Sequence, residues 1–299
     1  MIVPSPYDAL LQRISVTPRT QSVCGSPTAF WDYGDPESAT TIVMVHGFRG
    51  DHHGLEPVVA HLPGLRIVSP DLPGFGASAP LVDIRHDLEG YAHWLCEFMT
   101  DLAPTGRVVI LGHSFGSIVV AAALARGLRV DDVILVNPIA APALSGPRGV
   151  LTRLAIFYYW AAAALPERLG FALLRNRGIV RIMSITMTKT REPLLRRWIH
   201  NQHDRYFSAF ADRNVVLDAF RASVGHDVSE FADDIPERTL LIAAEKDDIT
   251  PLDAQYRLQA LFAHASLAVI GDVGHLIHYE TPEPAAAEVQ RFLGLQEPA

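Results

Sequence analysis

The strongest chemical signal in this sequence is Gly112-His113-Ser114-Phe115-Gly116. It follows the aliphatic run Arg107–Leu111 (RVVIL) and precedes the small, apolar run SIVVAAALA that begins at Ser117. By itself G-x-S-x-G occurs by chance, and a tight turn with an incidental serine is the plain alternative. Between a strand and a helix it reads as a sharp turn that presents a nucleophile. Such a turn strains the serine backbone and crowds its neighbours, which is why glycine stands on both sides. It also lifts the hydroxyl to a helix N-terminus, where the positive end of the peptide dipoles favours developing negative charge. A serine hydroxyl is a weak nucleophile until a base takes its proton. Histidine titrates near neutrality and suits that task, and a carboxylate would fix its tautomer and stabilise its cation. The chain holds thirteen histidines and 33 Asp and Glu, so position must choose among them.

The elements that would position these groups are legible as alternating runs. Thr41–His46, Leu65–Ser69, Arg107–Leu111, Asp132–Val136, Thr239–Ala243 and Ser266–Ile270 are short and continuously apolar or β-branched, as expected of strands covered on both faces in a mostly parallel sheet. Helical candidates lie between them at Arg85–Leu102, Ser117–Leu128, Pro251–Phe262 and Pro282–Phe292. Thr250-Pro251 and Thr281-Pro282 each place an N-cap residue before a first-turn proline. Ile14–Val23 and Thr28–Tyr33 read as antiparallel strands at one edge. The alternation predicts an α/β fold. It stops between Pro138 and about Ile235, a stretch that looks helical and has no buried-strand run.

With these residues in this order, the sequence resembles the α/β-hydrolase superfamily over roughly residues 28–138 and 236–293. The resemblance implies a mostly parallel eight-stranded sheet flanked by helices, with an inserted helical cap. The core would then be residues 1–138 and 236–299, and the cap 139–235. His46-Gly47-Phe48 looks like the family's oxyanion loop, and Asp71 to Ser78 (DLPGFGAS) like its Gly-rich loop, which lacks the lysine of a phosphate-binding loop. The resemblance makes Ser114 the nucleophile. His275, in Gly271–His275 (GDVGH) after the last predicted strand, matches the base position and the family's Ser, Asp, His chain order. The family pattern has a small residue three before the acid and a proline four after it, which picks Asp247 over Asp248. The oxyanion hole would be the backbone N–H groups of Phe48 and Phe115, with Phe48 also lining an acyl pocket. Ser117 stands where many relatives carry a second glycine. Serine at the elbow, rather than Asp, disfavours the epoxide hydrolase and haloalkane dehalogenase chemistries of this fold. What remains is acyl chemistry without a cofactor: best an ester of a fairly hydrophobic acid, with thioesters, lactones, amides, C–C bonds beside a carbonyl and acyl transfer still open. A ligand receptor or a lyase on the same scaffold is the alternative from another class.

Composition bounds the remaining choices. Hydrophobic residues make up 49% of the 299 and charged residues 19%, ample for a packed core. A net charge of −8 argues against nucleic acid as a partner. Cys24 and Cys96 read as free thiols. The N-terminus lacks the continuous apolar run of a signal peptide, and the longest aromatic-aliphatic stretch, Leu154–Leu165, is far short of the ~20 residues that cross a bilayer. The expectation is a soluble cytoplasmic protein acting on a small acyl substrate. His46, Asp51, His52 and His53 read as loop residues rather than a metal site, His278 as structural, Asp248 as a solvated carboxylate, and Arg49 as half of a loop-stabilising ion pair rather than an anion reader. Between Arg148 and Arg213 there are twelve Lys and Arg against four Asp and Glu. Leu154–Leu165, with Arg153 and Arg168 at its edges, reads as the cap's own core and pocket roof; the sharper alternative is a surface that meets anionic lipid or a lipophilic anionic substrate.

Overall fold

The continuous apolar runs build one sheet. A computed structural model describes residues 3–141 and 149–295. The strands are β1 Val16–Val23, β2 Ser26–Tyr33, β3 Thr40–Val45, β4 Arg66–Pro70, β5 Arg107–His113, β6 Asp132–Val136, β7 Arg238–Ala244 and β8 Ala265–Ile270. They form an eight-stranded sheet in the order β1-β2-β4-β3-β5-β6-β7-β8. β1 and β2 pair antiparallel, as does β2 with β4, and every pairing from β4 through β3 to β8 is parallel. Both expected antiparallel strands and all six expected apolar runs therefore lie within a few residues of their places, the last of them as the edge strand β8.

The helices are α1 Asp8–Leu11, α2 Glu56–Val59, α3 Leu88–Leu102, α4 Phe115–Ala125, α5 Gly149–Ala164, α6 Glu167–Leu174, α7 Arg177–Met187, α8 Pro193–Tyr206, α9 Arg213–Gly225, α10 Leu252–Gln259, α11 Ile277–Glu280 and α12 Pro282–Leu293. Alternate residues of each inner strand feed opposite cores. Val43, Val45, Ile110, Val133 and Leu135 face the layer with α3, α4 and α10, while Ile42, Met44, Val109, Ile134 and Val136 face the layer with α2 and α12. Burial on both faces is why these strands read as unbroken apolar runs.

The strand order reverses between β3 and β5, since β3 is followed by β4 on one side and by β5 on the other. The loops leaving the C-terminal ends of those two strands diverge and leave a crevice, the place where open α/β sheets bind ligands. Phe48 lies just after β3 and Ser114 just after β5. Helices α5 to α9 occupy the expected insertion between β6 and β7. They rest on the loops at this end of the sheet: Phe75 bridges Phe210, and Gly76 N donates to Ala209 O at 2.8 Å. The expected insertion includes residues 142–148, and the expected core runs to 299, so those two stretches lie outside the described residues.

Candidate active site

Ser114 is held at φ 53°, ψ −118° between β5 and α4, a conformation that costs an L-residue on the order of 1–3 kcal/mol and persists only where the surroundings enforce it. The two flanking glycines are what allow it. A Cβ on Gly112 would lie 2.6 Å from the carbonyl oxygen of Gly116, and one on Gly116 would lie 2.3 Å from that of Val45. Ser114 N donates to Val136 O at 3.0 Å, which ties the turn to β6. Ser117 adds a restraint that its small size alone does not suggest. Its hydroxyl donates to the Ser114 carbonyl and accepts from Ile139 N at 3.2 Å, pinning the nucleophile's peptide to the chain entering the insertion.

The sheet brings the expected base and acid to this turn. His275 Nε2 lies 2.8 Å from Ser114 Oγ, and His275 Nδ1 lies 2.7 Å from Asp247 Oδ2. Asp247 also accepts from Ile249 N at 2.7 Å, Thr250 N at 3.1 Å and the Thr250 hydroxyl at 2.7 Å. Burial pushes the Asp247 carboxyl up, but the His275 imidazole and these hydrogen bonds outweigh it and hold the carboxyl below its usual range. An ionised Asp247 accepts a hydrogen bond from Nδ1–H and so keeps the proton on that nitrogen, which leaves Nε2 free to accept from Ser114. Asp248, by contrast, points away and takes an ion pair from Lys189 at 2.6 Å. The expected Thr250 helix cap is not what forms: Pro251 is the N-cap of α10, and the Thr250 hydroxyl serves Asp247 instead. Thr281 does precede α12, without a side-chain cap bond.

One positioning residue escaped the sequence reading. Asn137, fully buried at the end of β6 with φ 43°, donates Nδ2 to His275 O at 2.9 Å and accepts from Ala244 N at 2.9 Å. It thereby fixes the loop carrying His275 against the ends of β6 and β7. An Asn directly after a strand and before a proline was the available signal, because Asn tolerates positive φ.

The loop after β3 supplies the other half of the crevice. His46 accepts from Leu72 N at 2.8 Å and its Nδ1 bonds Gly47 O at 2.9 Å, joining this loop to the Gly-rich one. The Gly-rich loop closes on a carboxylate rather than an anion site. Asp71 accepts from His52 N, His52 Nδ1 and Ala77 N at 2.8 to 2.9 Å. Among the described residues, the N–H groups of Phe48 and Phe115 donate to no protein oxygen. The Phe48 ring packs against Phe75, Phe115, Tyr159 and Phe220, with centroids 5.8 to 6.4 Å apart. Asp51, His52 and His53 place potential metal-ligating atoms within 4.8 Å of one another. Those atoms are already engaged, His53 with Asp51 at 3.2 Å and His52 with Asp71. His278 is buried in α11 against His113, as a structural residue would be.

Arg49 corrects an expectation. It is only 1% exposed, and none of its partners among the described residues is a carboxylate. Its guanidinium donates instead to Leu174 O at 2.7 Å, Phe207 O at 3.0 Å, the Tyr159 hydroxyl at 3.2 Å and the Ser208 hydroxyl at 3.4 Å. Leu174 and Phe207 end α6 and α8, so the negative ends of two helix dipoles act as its counter-charge. One side chain thus ties the loop carrying Phe48 to three inserted helices. Arg49→Met is expected to leave those oxygens unpaired and to lower stability by about 3 kcal/mol, with earlier proteolytic cutting within residues 149–225. Urea unfolding and limited trypsin digestion measure both; an unchanged midpoint and digestion pattern would contradict the tie.

A parallel sheet with a strained serine at its switch point, a buried imidazole and a buried carboxylate in line defines a hydrolase-type site. The chain matches the sequence profile of the alpha/beta hydrolase family over residues 42–288 and belongs to that family. It is 29% identical over 280 residues to a 2-hydroxy-6-oxononadienedioate/2-hydroxy-6-oxononatrienedioate hydrolase of Pseudomonas putida, covering 86% of this chain and 88% of that one. Among solved structures it resembles an esterase from Exiguobacterium antarcticum (TM-score 0.75, 20% identity, 92% of this chain and 98% of that chain). It also resembles a bromoperoxidase from Bacillus anthracis (TM-score 0.77, 17% identity, 93% and 100%). At these identities the two structures share the fold with this chain, and an esterase beside a bromoperoxidase illustrates that the fold does not choose the chemistry. The protein is an α/β-fold hydrolase.

Proposed function

We propose that the protein hydrolyses a carboxylic ester of a fairly hydrophobic acid through Ser114, His275 and Asp247, by way of an acyl-enzyme. The observation that carries this reading is the unbroken hydrogen-bonded line from Ser114 Oγ through His275 to Asp247. Ser114 Oγ attacks the carbonyl carbon while His275 Nε2 takes its proton, then returns it to the departing alkoxide. Water, deprotonated by the same nitrogen, attacks the acyl carbon and releases Ser114. Asp247 stays ionised and stabilises the imidazolium. The N–H groups of Phe48 and Phe115 receive the oxyanion, each such donor being typically worth ~3 kcal/mol. Phe48 and its aromatic neighbours favour an apolar acyl group, and helices α5 to α9 act as the cap above it, held by Arg49.

A second reading has support from the Pseudomonas putida relative, whose name gives an oxo-dioate as its substrate: the same residues would cleave a C–C bond beside a carbonyl in an anionic substrate. A series of p-nitrophenyl esters of rising chain length, run beside a fluorophosphonate probe, tests the first reading. Turnover with an optimum at medium or long acyl chains, and probe label on Ser114 by mass spectrometry, are expected. A folded protein that takes the label but turns over only an oxo-dienedioate would establish the second reading, and one that takes no label would refute both.

A further inference from the structure

Helix α5 has two working faces. Tyr159 and Ala162 are buried, Tyr159 against Phe48 and Arg49. On the outer side Leu154, Phe157 and Trp160 are 59%, 62% and 61% exposed. Their spacing of three residues puts them on one stripe of the helix, which Arg153 extends. The Phe157 and Trp160 rings stack on each other with centroids 5.7 Å apart. The next helix lies in backbone contact with α5, since a Cβ on Gly170 would meet Ala162 O at 2.1 Å. At this corner Leu165 and Leu169 are exposed as well. Leaving this many large apolar side chains in water is unusual away from a binding surface.

We propose that this outer face of α5 and α6 docks on an anionic lipid surface. Charge selects that occupant. From residue 149 to 187 the chain carries five arginines and one acid, Glu167. The stretch Arg148–Arg213 is +8 in a chain of −8, so the remainder carries −16. That asymmetry turns the inserted helices toward a negative surface and the core away from it. A second copy meeting the first through the same face would bring two positive patches together. Trp and Phe flanked by Arg suit the headgroup boundary, where the rings enter the acyl region and the guanidinium groups stay with the phosphates. No helix among the described residues is long and apolar enough to cross a bilayer, so the contact lies along the surface. Because the opposite face of α5 touches the loop carrying Phe48, docking would set the crevice beside the lipid. This inference does not depend on the ester reading.

The test is co-sedimentation with vesicles of phosphatidylcholine alone and of phosphatidylcholine mixed with phosphatidylglycerol, with tryptophan emission followed in parallel. Binding to the mixed vesicles at low salt, weakened at least about tenfold at high salt, and a blue shift lost in Trp160→Phe are expected. Phe157→Ser with Trp160→Ser, and separately Arg153→Glu with Arg168→Glu, should each weaken binding about tenfold or more at unchanged thermal midpoint. The proposal fails if nothing pellets with mixed vesicles at low salt. It fails too if neutral vesicles bind equally well, or if the protein self-associates and thereby shields Trp160 from a soluble quencher.

Discussion

Ser114→Ala is expected to lower ester turnover about 10⁶-fold, and Asp247→Asn about 10⁴-fold, with both variants folded. Alanine removes the nucleophile but leaves the strained turn, whose geometry is imposed by Gly112, Gly116 and the bond from Ser114 N to Val136 O. The two substitutions differ in what they leave behind. Without Oγ no acyl-enzyme forms, and only the backbone donors still favour the tetrahedral intermediate. Asp247→Asn keeps the side chain's shape, but the orienting charge is gone and its single oxygen can keep either the bonds from Ile249 N and Thr250 N or the bond from the imidazole, not both. An amide oriented with its NH₂ toward Nδ1 would donate to the ring and drive the proton to Nε2, the nitrogen that must accept from Ser114. The charge also balances the imidazolium, and its loss matters in a site where Asp247 is buried away from water. Steady-state rates together with fluorophosphonate labelling measure both effects. A folded Ser114→Ala protein that keeps more than about a thousandth of the wild-type rate would assign the nucleophile elsewhere. An Asp247→Asn variant within about tenfold of wild type would mean that the carboxylate only shapes the loop.

The residues that meet at this site differ in how far the sequence exposes them. Ser114 and Asp247 each follow a buried strand, and such strands announce themselves as short apolar runs because both faces of the sheet are covered by helices. His275 follows β8, an edge strand that is only partly buried but still reads as an aliphatic run. The parallel register then does the rest, carrying Gly112, Val136 and Ile242 to one end of the sheet. Phe48 follows from the same logic after β3. Asn137 and Arg49 do not. Asn137 reaches a carbonyl 138 residues away, and Arg49 one 125 residues away, so only the completed topology shows what they bond. Arg49 also defies the usual rule that a buried cation needs a carboxylate, because helix ends supply the negative potential. The inserted helices were legible as helical but not as faces. Leu154–Leu165 carries large apolar residues toward both the crevice and the outside, so its apolar pattern lacks the single stripe that separates inside from outside. Ser117 and Thr250 are small hydroxyl residues whose partners are set by where the nucleophile turn and the acid happen to fold.

Stability is expected to fall steeply as pH drops from about 7 to 5, through histidines that take no part in the chemistry. Burial is the main cause that lowers His113 to about 3, with the neighbouring His275 adding to it. Burial also lowers His203 to about 3, helped by His200 and Arg181. His278 is pushed well below its ordinary value by burial and by His113, His275 and His203 around it. The geometry agrees. His113 Nε2 and His278 Nδ1 have no hydrogen-bond partner and border a void of about 10 Å³, while His203 Nδ1 is engaged by the Ser184 hydroxyl at 2.7 Å. In the unfolded chain each of these rings binds a proton near pH 6.5, whereas the native state refuses it until far lower. Between those values the unfolded state holds more protons, so stability rises with pH and is lost as pH falls through 6.5. For His113 and for His203 the slope is about 1.4 kcal/mol per pH unit, or about 2 kcal/mol each at pH 5. His113 and His203 together amount to about 4 kcal/mol, a sizeable part of the 5–15 kcal/mol typical of a domain, and His278 acts in the same direction. Other groups act in the opposite sense. His53, which Asp51 raises against the effect of burial, favours the native state on the acid side. Glu56 and Glu280, raised by burial, give back stability only once carboxylates begin to protonate. Asp247, held low, adds to the acid loss only once pH falls into the ordinary carboxylate range and below it. Urea midpoints between pH 8 and 5 measure the balance. His203→Gln should flatten the slope by about 1.4 kcal/mol per pH unit. A stability that stays level from pH 8 to 5 would mean that these rings are protonated, or reached by water, in the native protein.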